Sequence, residues 1–245
     1  MPPILDRLRA RASDARFALD VLRKSGMVRA FRPTALPGFA AAARLTKPGP
    51  HLATLLHARM HPDKECVIDG DRRYTWRTFD QAVNQLAHAI AARGGAAAPV
   101  ACMLGNGADY LIAQQALARV GAVVVQIGYR SKPAEVAYIL SNAEPAAAII
   151  GAPYAETFAE AMRLAGSTCQ VIVAGADAAP AVGERWDDAI AGQPGDLPPT
   201  ARGGDGGGVI VYTSGTTGKP KGATRSWKQT GFDAVADMIA QVGMN

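Results

Sequence analysis

From residue 51 onward, short continuous apolar runs alternate with stretches whose apolar residues recur at helical spacing. The apolar runs predict strands at residues 66–69, 73–76, 100–104, 122–126, 147–150 and 170–174. The helical spacing predicts helices at residues 52–60, 109–119 and 154–164, one that begins near Thr78 and one with Pro133 in its first turn. Strands that alternate with helices of this length predict an α/β fold, in which helices flank a parallel or mixed sheet.

Two local signals mark boundaries between these elements. The tripeptide Asp69-Gly70-Asp71 separates the first two predicted strands, which is typical of a β-hairpin turn. Thr78 is followed three residues later by Gln81, which predicts a capping box at the start of the next helix.

The first 50 residues have a different pattern. Apolar residues at spacings of three and four predict an amphipathic helix over residues 4–24, with six Arg or Lys side chains at its other positions. Four prolines between residues 32 and 50 mark a linker. The helix can pack on its own domain, or it can lie on an anionic membrane surface, where each basic residue contributes about 1 kcal/mol. We therefore predict two regions, residues 1–50 and residues 51–245.

Charge and cysteine content narrow the function classes. Residues 1–47 carry ten Lys or Arg against three Asp, an excess of seven, so the remaining residues of this +5 chain carry a net −2. The larger region shows no basic stripe with interleaved aromatic residues, which argues against a nucleic-acid partner. Three widely separated cysteines and the lack of a long apolar run predict a cytoplasmic protein, with peripheral membrane contact through residues 4–24 as an option.

Residues 175–208 are rich in Ala, Pro and Gly and end in GGDGGG. This composition predicts a mobile surface connection.

The most informative stretch is YTSGTTGKPKG, residues 212–222, which directly follows the apolar run 209–211. Its glycines allow consecutive backbone N–H groups to converge on one anion. Hydroxyl and lysine side chains add donors, and a hydrogen bond to a charged group is worth about 1.5–3 kcal/mol. The stretch therefore predicts a loop that binds a polyphosphate.

Two other kinds of loop share some of these residue types. Clusters of Gly, Ser and Thr also form ordinary surface turns. A Walker loop needs four residues between its glycines, whereas only two separate Gly215 from Gly218. Pro220 also disfavours helical geometry at Lys219.

The loop resembles, residue for residue, the signature loop of the AMP-forming (adenylate-forming) superfamily of acyl-CoA synthetases, luciferases and peptide-synthetase adenylation domains. Residues 74–90, YTWRTFDQAVNQLAHAI, and residues 117–139 resemble the first and second core motifs of that superfamily. The likeness covers residues 51–230. It implies the N-terminal domain of the adenylate-forming fold and ATP-dependent activation of a carboxylate to acyl-AMP, followed by a thioester with CoA in the complete protein.

The resemblance also implies roles for individual residues. The loop would hold the β- and γ-phosphates of ATP while a carboxylate attacks the α-phosphate. The implied nucleotide-binding residues are Thr213, Ser214, Gly215, Thr216, Thr217, Gly218, Lys219 and Lys221. Thr213 would also lie near the Mg²⁺ that accompanies ATP. The expected carboxylate is a fatty acid. The basic segment 4–24 favours a substrate met at a membrane.

Members of this superfamily are much longer than this chain. Their later regions supply an acidic residue for Mg²⁺, an Asp for the ribose, much of the acyl pocket and a lysine that promotes adenylation. None has a counterpart here, so we expect residues 51–245 to be a partial AMP-binding domain, truncated after the phosphate loop and with little or no ligase activity alone. The alternatives are a non-catalytic nucleotide-binding or interaction remnant, and a chain that pairs with a second polypeptide carrying the other half.

Three further candidates have weaker support. His57 and His61 are four residues apart, but no third metal ligand is evident, and a partly exposed helix histidine is the better interpretation. The tripeptide Gly105-Asn106-Gly107 lacks the third glycine of a dinucleotide fingerprint. Ser214 lacks the flanking glycine of a hydrolase nucleophile elbow.

Overall fold

A computed structural model describes residues 50–198, 207–213 and 221–226. The predicted basic helix at residues 4–24 and the linker up to residue 49 lie outside the described residues. All described residues belong to one compact unit of the chain.

The described residues form helices α1 (His51–Met60), α2 (Trp76–Ala92), α3 (Ala108–Arg119), α4 (Pro133–Ala143), α5 (Ala155–Ala165) and α6 (Trp186–Ile190). A short 3₁₀ turn, Ala152–Tyr154, precedes α5. The strands are β1 (Glu65–Asp69), β2 (Arg72–Thr75), β3 (Pro99–Met103), β4 (Val123–Gln126), β5 (Ala147–Gly151), β6 (Gln170–Ala174), β7 (Glu184–Arg185), β8 (Gly208–Thr213) and β9 (Lys221–Ser226). Each helix and strand predicted between residues 52 and 174 is found within a few residues of its expected place.

The strands form a hairpin and one larger sheet. β1 and β2 pair antiparallel. The larger sheet has the order β7-β6-β5-β3-β4-β8-β9 within the described residues. Neighbouring strands are parallel except β8 and β9, which are antiparallel. The predicted α/β fold with a mixed sheet is therefore confirmed.

Helices cover both faces of the sheet. On one face, α2, α3 and α6 supply buried side chains that include Val83, Leu86, Ile90, Leu117 and Trp186. On the other face, α4 and α5 supply Val136, Ile139, Leu140 and Phe158. Strands β3 and β5 are buried along almost their whole length, which explains why the sequence shows continuous apolar runs there rather than alternation.

Helix α2 begins about one turn earlier than predicted. Its N-cap is Thr75, whose side-chain oxygen accepts a hydrogen bond from the Thr78 backbone N–H at 3.3 Å. The Thr75 backbone N–H donates in return to the Thr78 hydroxyl at 3.0 Å. The predicted capping box of Thr78 and Gln81 is therefore wrong, because Thr78 is the third residue of the helix and closes the box with Thr75.

The part of segment 175–208 that the structure describes up to residue 198 also differs from its prediction, because it holds β7 and α6. Trp186 is only 8% exposed and belongs to the core. The Asn84 side-chain amide donates to the Gly195 carbonyl oxygen at 2.8 Å. Composition indicated an irregular connection because few large apolar residues occur here, yet one buried tryptophan and this hydrogen bond attach the segment to α2.

None of the helices within the described residues is both long and apolar enough to cross a bilayer.

Candidate functional site

The two strands that bracket the candidate phosphate loop place its ends together. β8 ends at Thr213, β9 begins at Lys221, and these two residues are paired across the antiparallel ladder. β8 is parallel to β4, so Thr213 lies at the carboxyl edge of the sheet. In open α/β sheets, ligands bind outside the carboxyl ends of the strands. The described residues on either side of segment 214–220 therefore lie at the edge where a ligand is expected.

The position of β8 is fixed at its other end by a glycine. Gly207 has a φ of +67°, and a Cβ atom there would come within 2.5 Å of the Ala122 carbonyl oxygen. That same oxygen accepts a hydrogen bond from the Gly208 N–H at 3.2 Å. Only glycine combines this backbone conformation with such a close approach. The contact sets the register of β8 on β4 and so determines where the loop starts.

Tyr212, the residue before Thr213, is attached to helix α4. Its hydroxyl donates to the Asn142 side-chain oxygen at 2.7 Å. Its ring meets that of Tyr138 edge to face, with centroids 6.5 Å apart. Partial burial, followed by the proximity of Tyr138, raises the pKa of the Tyr212 hydroxyl, so this group is protonated and able to donate at neutral pH.

An aromatic pair lies at the same carboxyl edge. Tyr129 follows β4 and Tyr154 precedes α5, and their ring centroids are 5.9 Å apart. The Arg130 guanidinium carbon lies 5.2 Å from the centre of the Tyr129 ring, within the range of a cation–π contact. A Cβ atom at Gly105 would lie 3.3 Å from the Tyr154 hydroxyl oxygen. These side chains therefore lie together at the carboxyl ends of the paired strands β3, β4 and β5.

Residues 105–107, which lack the third glycine of a dinucleotide fingerprint, lead into the N-terminus of α3. The backbone N–H at this N-terminus already has a hydrogen-bond acceptor within the chain. The Asp69 carboxylate accepts hydrogen bonds from the Ala108 backbone N–H at 2.9 Å and from Arg72 at 2.6 Å. The Ala108 amide, followed by Arg72, holds the pKa of Asp69 below its ordinary value. A carboxylate from the β1–β2 hairpin thus occupies the place where a dinucleotide phosphate would bind.

The site residues predicted from the sequence divide into two groups. Thr213 and Lys221 lie in described strands, and the structure brings their backbones into register at the sheet edge. Ser214, Gly215, Thr216, Thr217, Gly218 and Lys219 lie outside the described residues. Their contacts with nucleotide, and the metal contact of Thr213, stay predictions.

His57 and His61, the two histidines considered as metal ligands, lie in a group of aromatic rings. His57 stacks on Trp76, with ring centroids 4.7 Å apart, and its ring centroid is 6.0 Å from that of His61. The described residues contain no group of three or more His, Cys, Asp or Glu side chains that could hold a metal ion.

The family model for AMP-binding enzymes matches residues 56–243. The chain belongs to the AMP-binding enzyme family. This confirms the resemblance inferred from the loop and the two core motifs, and the matched range includes every predicted nucleotide-binding residue.

Curated relatives in this family include peptide synthetases and CoA ligases. The chain is 34% identical over 186 residues to isonitrile lipopeptide synthase of Mycobacterium tuberculosis, covering 74% of this chain and 7% of that protein. It is 32% identical over 177 residues to the putative acyl-CoA ligase YdaB of Bacillus subtilis, covering 69% and 35%. It is 33% identical over 159 residues to the long-chain-fatty-acid–CoA ligase FadD13 of M. tuberculosis, covering 64% and 30%. The chain thus spans about a third of the length of these CoA ligases.

Among solved structures, the anthranilate CoA ligase AuaEII in complex with anthranoyl-AMP is similar in fold. The TM-score is 0.66 at 21% identity, and the alignment covers 76% of this chain and 36% of that protein. This likeness supports the N-terminal domain of the adenylate-forming fold.

Sequence reasoning missed Tyr212, Tyr129 and Tyr154 as residues that organise the carboxyl edge. The available signal was position along the chain, since Tyr129 and Tyr154 each follow a predicted strand and Tyr212 is the first residue of the stretch 212–222. Their contacts depend on strand order, which the apolar pattern does not specify.

Proposed function

We propose that the loop between β8 and β9 binds the β- and γ-phosphates of ATP, and that this chain supplies the phosphate-binding part of an AMP-forming acyl-CoA synthetase. The observation that carries the proposal is the pairing of Thr213 with Lys221 at the carboxyl edge of the sheet, with SGTTGKP between them. Family membership and the likeness to CoA ligases support it.

The residues present fit a polyphosphate group. Lys219 and Lys221 supply positive charge for the outer phosphates, and Ser214, Thr216 and Thr217 supply hydroxyl donors. Glycines 215 and 218 let backbone N–H groups approach an anion. Mg²⁺ would neutralise phosphate charge when bound. Thr213 would offer it a hydroxyl oxygen, a ligand type that suits this cation.

The reaction proposed for the complete enzyme is carboxylate activation. ATP and the carboxylate give acyl-AMP and pyrophosphate, and CoA then displaces AMP to form a thioester. The loop would contribute by holding the departing pyrophosphate in place and stabilising its charge. We propose a fatty acid as the carboxylate, which the likeness to FadD13 and the basic segment 4–24 support.

The substrate class can be tested with stable acyl-adenylate analogues. In the complete enzyme, which would hold the whole acyl pocket, an acyl sulfamoyl-adenosine with a long alkyl chain is expected to displace ATP at lower concentration than the benzoyl analogue does. Equal or reversed potency would contradict a fatty-acid substrate.

A second candidate is a nucleotide-binding module that does not catalyse by itself. This chain matches about a third of the length of the CoA ligases, so catalysis by these residues alone is a separate proposal from phosphate binding. Residues that promote adenylation in complete synthetases would then act from outside the 245 residues, or from a second polypeptide.

Two measurements on the 245-residue chain separate these possibilities. Calorimetry is expected to show Mg-ATP binding tighter than AMP, because only ATP carries the phosphates that the loop would hold. Fatty-acid-dependent exchange of pyrophosphate into ATP is expected to stay near background. Exchange at a rate comparable with a complete synthetase would show that the chain is catalytic alone. Failure to bind Mg-ATP would contradict both candidates.

The DNA downstream of Asn245 gives an independent test. A continuing reading frame with the acidic and lysine motifs would favour the synthetase, whereas a stop codon followed by unrelated sequence would favour the binding module.

A further inference from the structure

We propose that Tyr212 is a positioning residue for the phosphate loop: by donating its hydroxyl hydrogen bond to Asn142 on α4, it fixes the places where the loop leaves β8 and joins β9. This inference rests on the proposed function of the loop and adds the means by which the fold orients it.

The first observation is the bond itself. Tyr212 precedes the last residue of β8, and its hydroxyl reaches the Asn142 side-chain oxygen at 2.7 Å across 70 positions of the chain. The edge-to-face contact with Tyr138 holds the ring against the same helix. Tyr212 and Ile210 both pack on the core cluster between the sheet and α4. The carboxyl end of β8 is therefore attached to a helix that is itself anchored by buried Val136 and Leu140.

The second observation concerns the other end of the loop. Tyr212 pairs with Gly222 across the ladder, one position inside the pair of Thr213 and Lys221. A Cβ atom at Gly222 would lie 3.3 Å from the Tyr212 ring carbon Cζ and 3.1 Å from Ile210 Cγ2. The Tyr212 ring thus lies over the backbone of β9, and a side chain at position 222 would push it away. One ring contacts both strands next to the loop.

A positioning role has a physical consequence. Lysines and amides stabilise phosphate charge best when they are held at hydrogen-bonding distance before the ligand arrives, because ordering them on binding costs free energy. The Tyr212–Asn142 bond would restrict the ends of the loop without itself contacting the nucleotide.

The test uses Tyr212→Phe, which keeps the ring, and Asn142→Ala, which removes the acceptor. Asn142→Asp keeps an acceptor oxygen, and Tyr138→Phe removes a neighbouring hydroxyl while keeping the ring contact. Each variant of the full 245-residue chain is measured for Mg-ATP affinity, for amide hydrogen exchange in β8 and β9, and for stability to urea.

Tyr212→Phe and Asn142→Ala are each expected to weaken Mg-ATP binding by about two- to fivefold, because a solvent-accessible hydrogen bond contributes near the low end of the usual range. Amide exchange in β8 and β9 should speed up by a similar factor. The double variant should be no weaker than either single variant, since both remove the same bond. Asn142→Asp and Tyr138→Phe should bind like the wild type.

Other outcomes separate this inference from the proposed function. One such outcome is that the variants lose stability while Mg-ATP affinity and amide exchange in β8 and β9 stay unchanged. The bond would then contribute only to the stability of the fold, and the inference would be overturned. If the wild type does not bind Mg-ATP, the proposed function fails, and exchange in the two strands still decides whether Tyr212 orders the ends of the loop. Additive effects of the two substitutions would also overturn it.

Discussion

Arg119 is the largest side chain that is fully buried in the described part of the chain, at 1% exposure. Its guanidinium lies 2.5 Å from the Asp80 carboxylate and also donates to the Asn84 side-chain oxygen. Burial lowers the pKa of Arg119, and the Asp80 carboxylate opposes that shift. The charge is therefore tolerated inside the protein because α2 supplies its partners.

Removing the carboxylate should leave Arg119 buried without a counter-charge. Asp80→Ala is expected to lower the free energy of unfolding by about 3–5 kcal/mol, measured by urea denaturation. Asp63→Ala is the matched control, since it breaks an exposed pair with Arg77 and should cost less than about 1 kcal/mol. Equal losses in the two variants would show that Arg119 does not depend on Asp80.

His51 gives a prediction about pH. The side chain is 4% exposed, and burial followed by the charge of Arg119 lowers its pKa to about 4. Because the unfolded chain binds this proton first as the pH falls, the contribution of His51 to stability is complete above about pH 6.5 and is lost between about pH 6.5 and 4.

The expected loss is about 3 kcal/mol over that window. It is measured as the difference in pH dependence of urea unfolding between the wild type and His51→Gln, which cannot titrate there. If the free energy of unfolding depends on pH in the same way in both proteins, His51 does not make this contribution to stability.

At the scale of elements, the boundary of α2 can be tested directly. Thr75→Ala removes the N-cap and should destabilise the chain by about 1 kcal/mol, because an N–H at the start of α2 loses its partner. Gln81→Ala should have almost no effect, since the observed capping box does not include it. Thermal or urea unfolding of both variants checks this. A larger loss of stability in Gln81→Ala than in Thr75→Ala would instead support the helix start at Thr78 that the sequence predicts.

Most elements could be predicted from the sequence because burial dictates their pattern. β3 and β5 are covered on both faces, so their apolar runs are unambiguous. The cap of α2 could not be placed, because Thr75 and Thr78 offer competing start signals and only the end of β2 decides between them. β7 and α6 were missed because short elements depend on tertiary contacts, here the burial of Trp186.

The candidate site was predictable as a motif but not as an arrangement. The loop sequence indicated phosphate binding, since its residue types suit that chemistry at any place in a fold. The strand order and Gly207 place β8 beside β4. This places the Tyr212 side chain of β8 against helix α4. These long-range contacts leave no local pattern.

At the scale of the whole molecule, the basic segment 4–24 can either pack on its own domain or contact a membrane, and we propose a test of the membrane contact. If the segment contacts membranes, the 245-residue chain should bind anionic lipid vesicles more tightly than neutral ones, with weaker binding at high salt. Sedimentation of the protein with vesicles, compared with a variant lacking residues 1–47, measures this. Unchanged binding in the shortened variant would remove the argument for a substrate met at a membrane.

The central claim is that the loop between β8 and β9 holds the outer phosphates of ATP, and calorimetric titration of lysine variants tests it most directly. Lys219→Ala and Lys221→Ala should each weaken Mg-ATP binding by about tenfold or more, because each removes a charge-assisted hydrogen bond. AMP binding should be unchanged, and the exposed Lys64→Ala should behave like the wild type. Mg-ATP affinity that is the same in all four proteins would contradict the account.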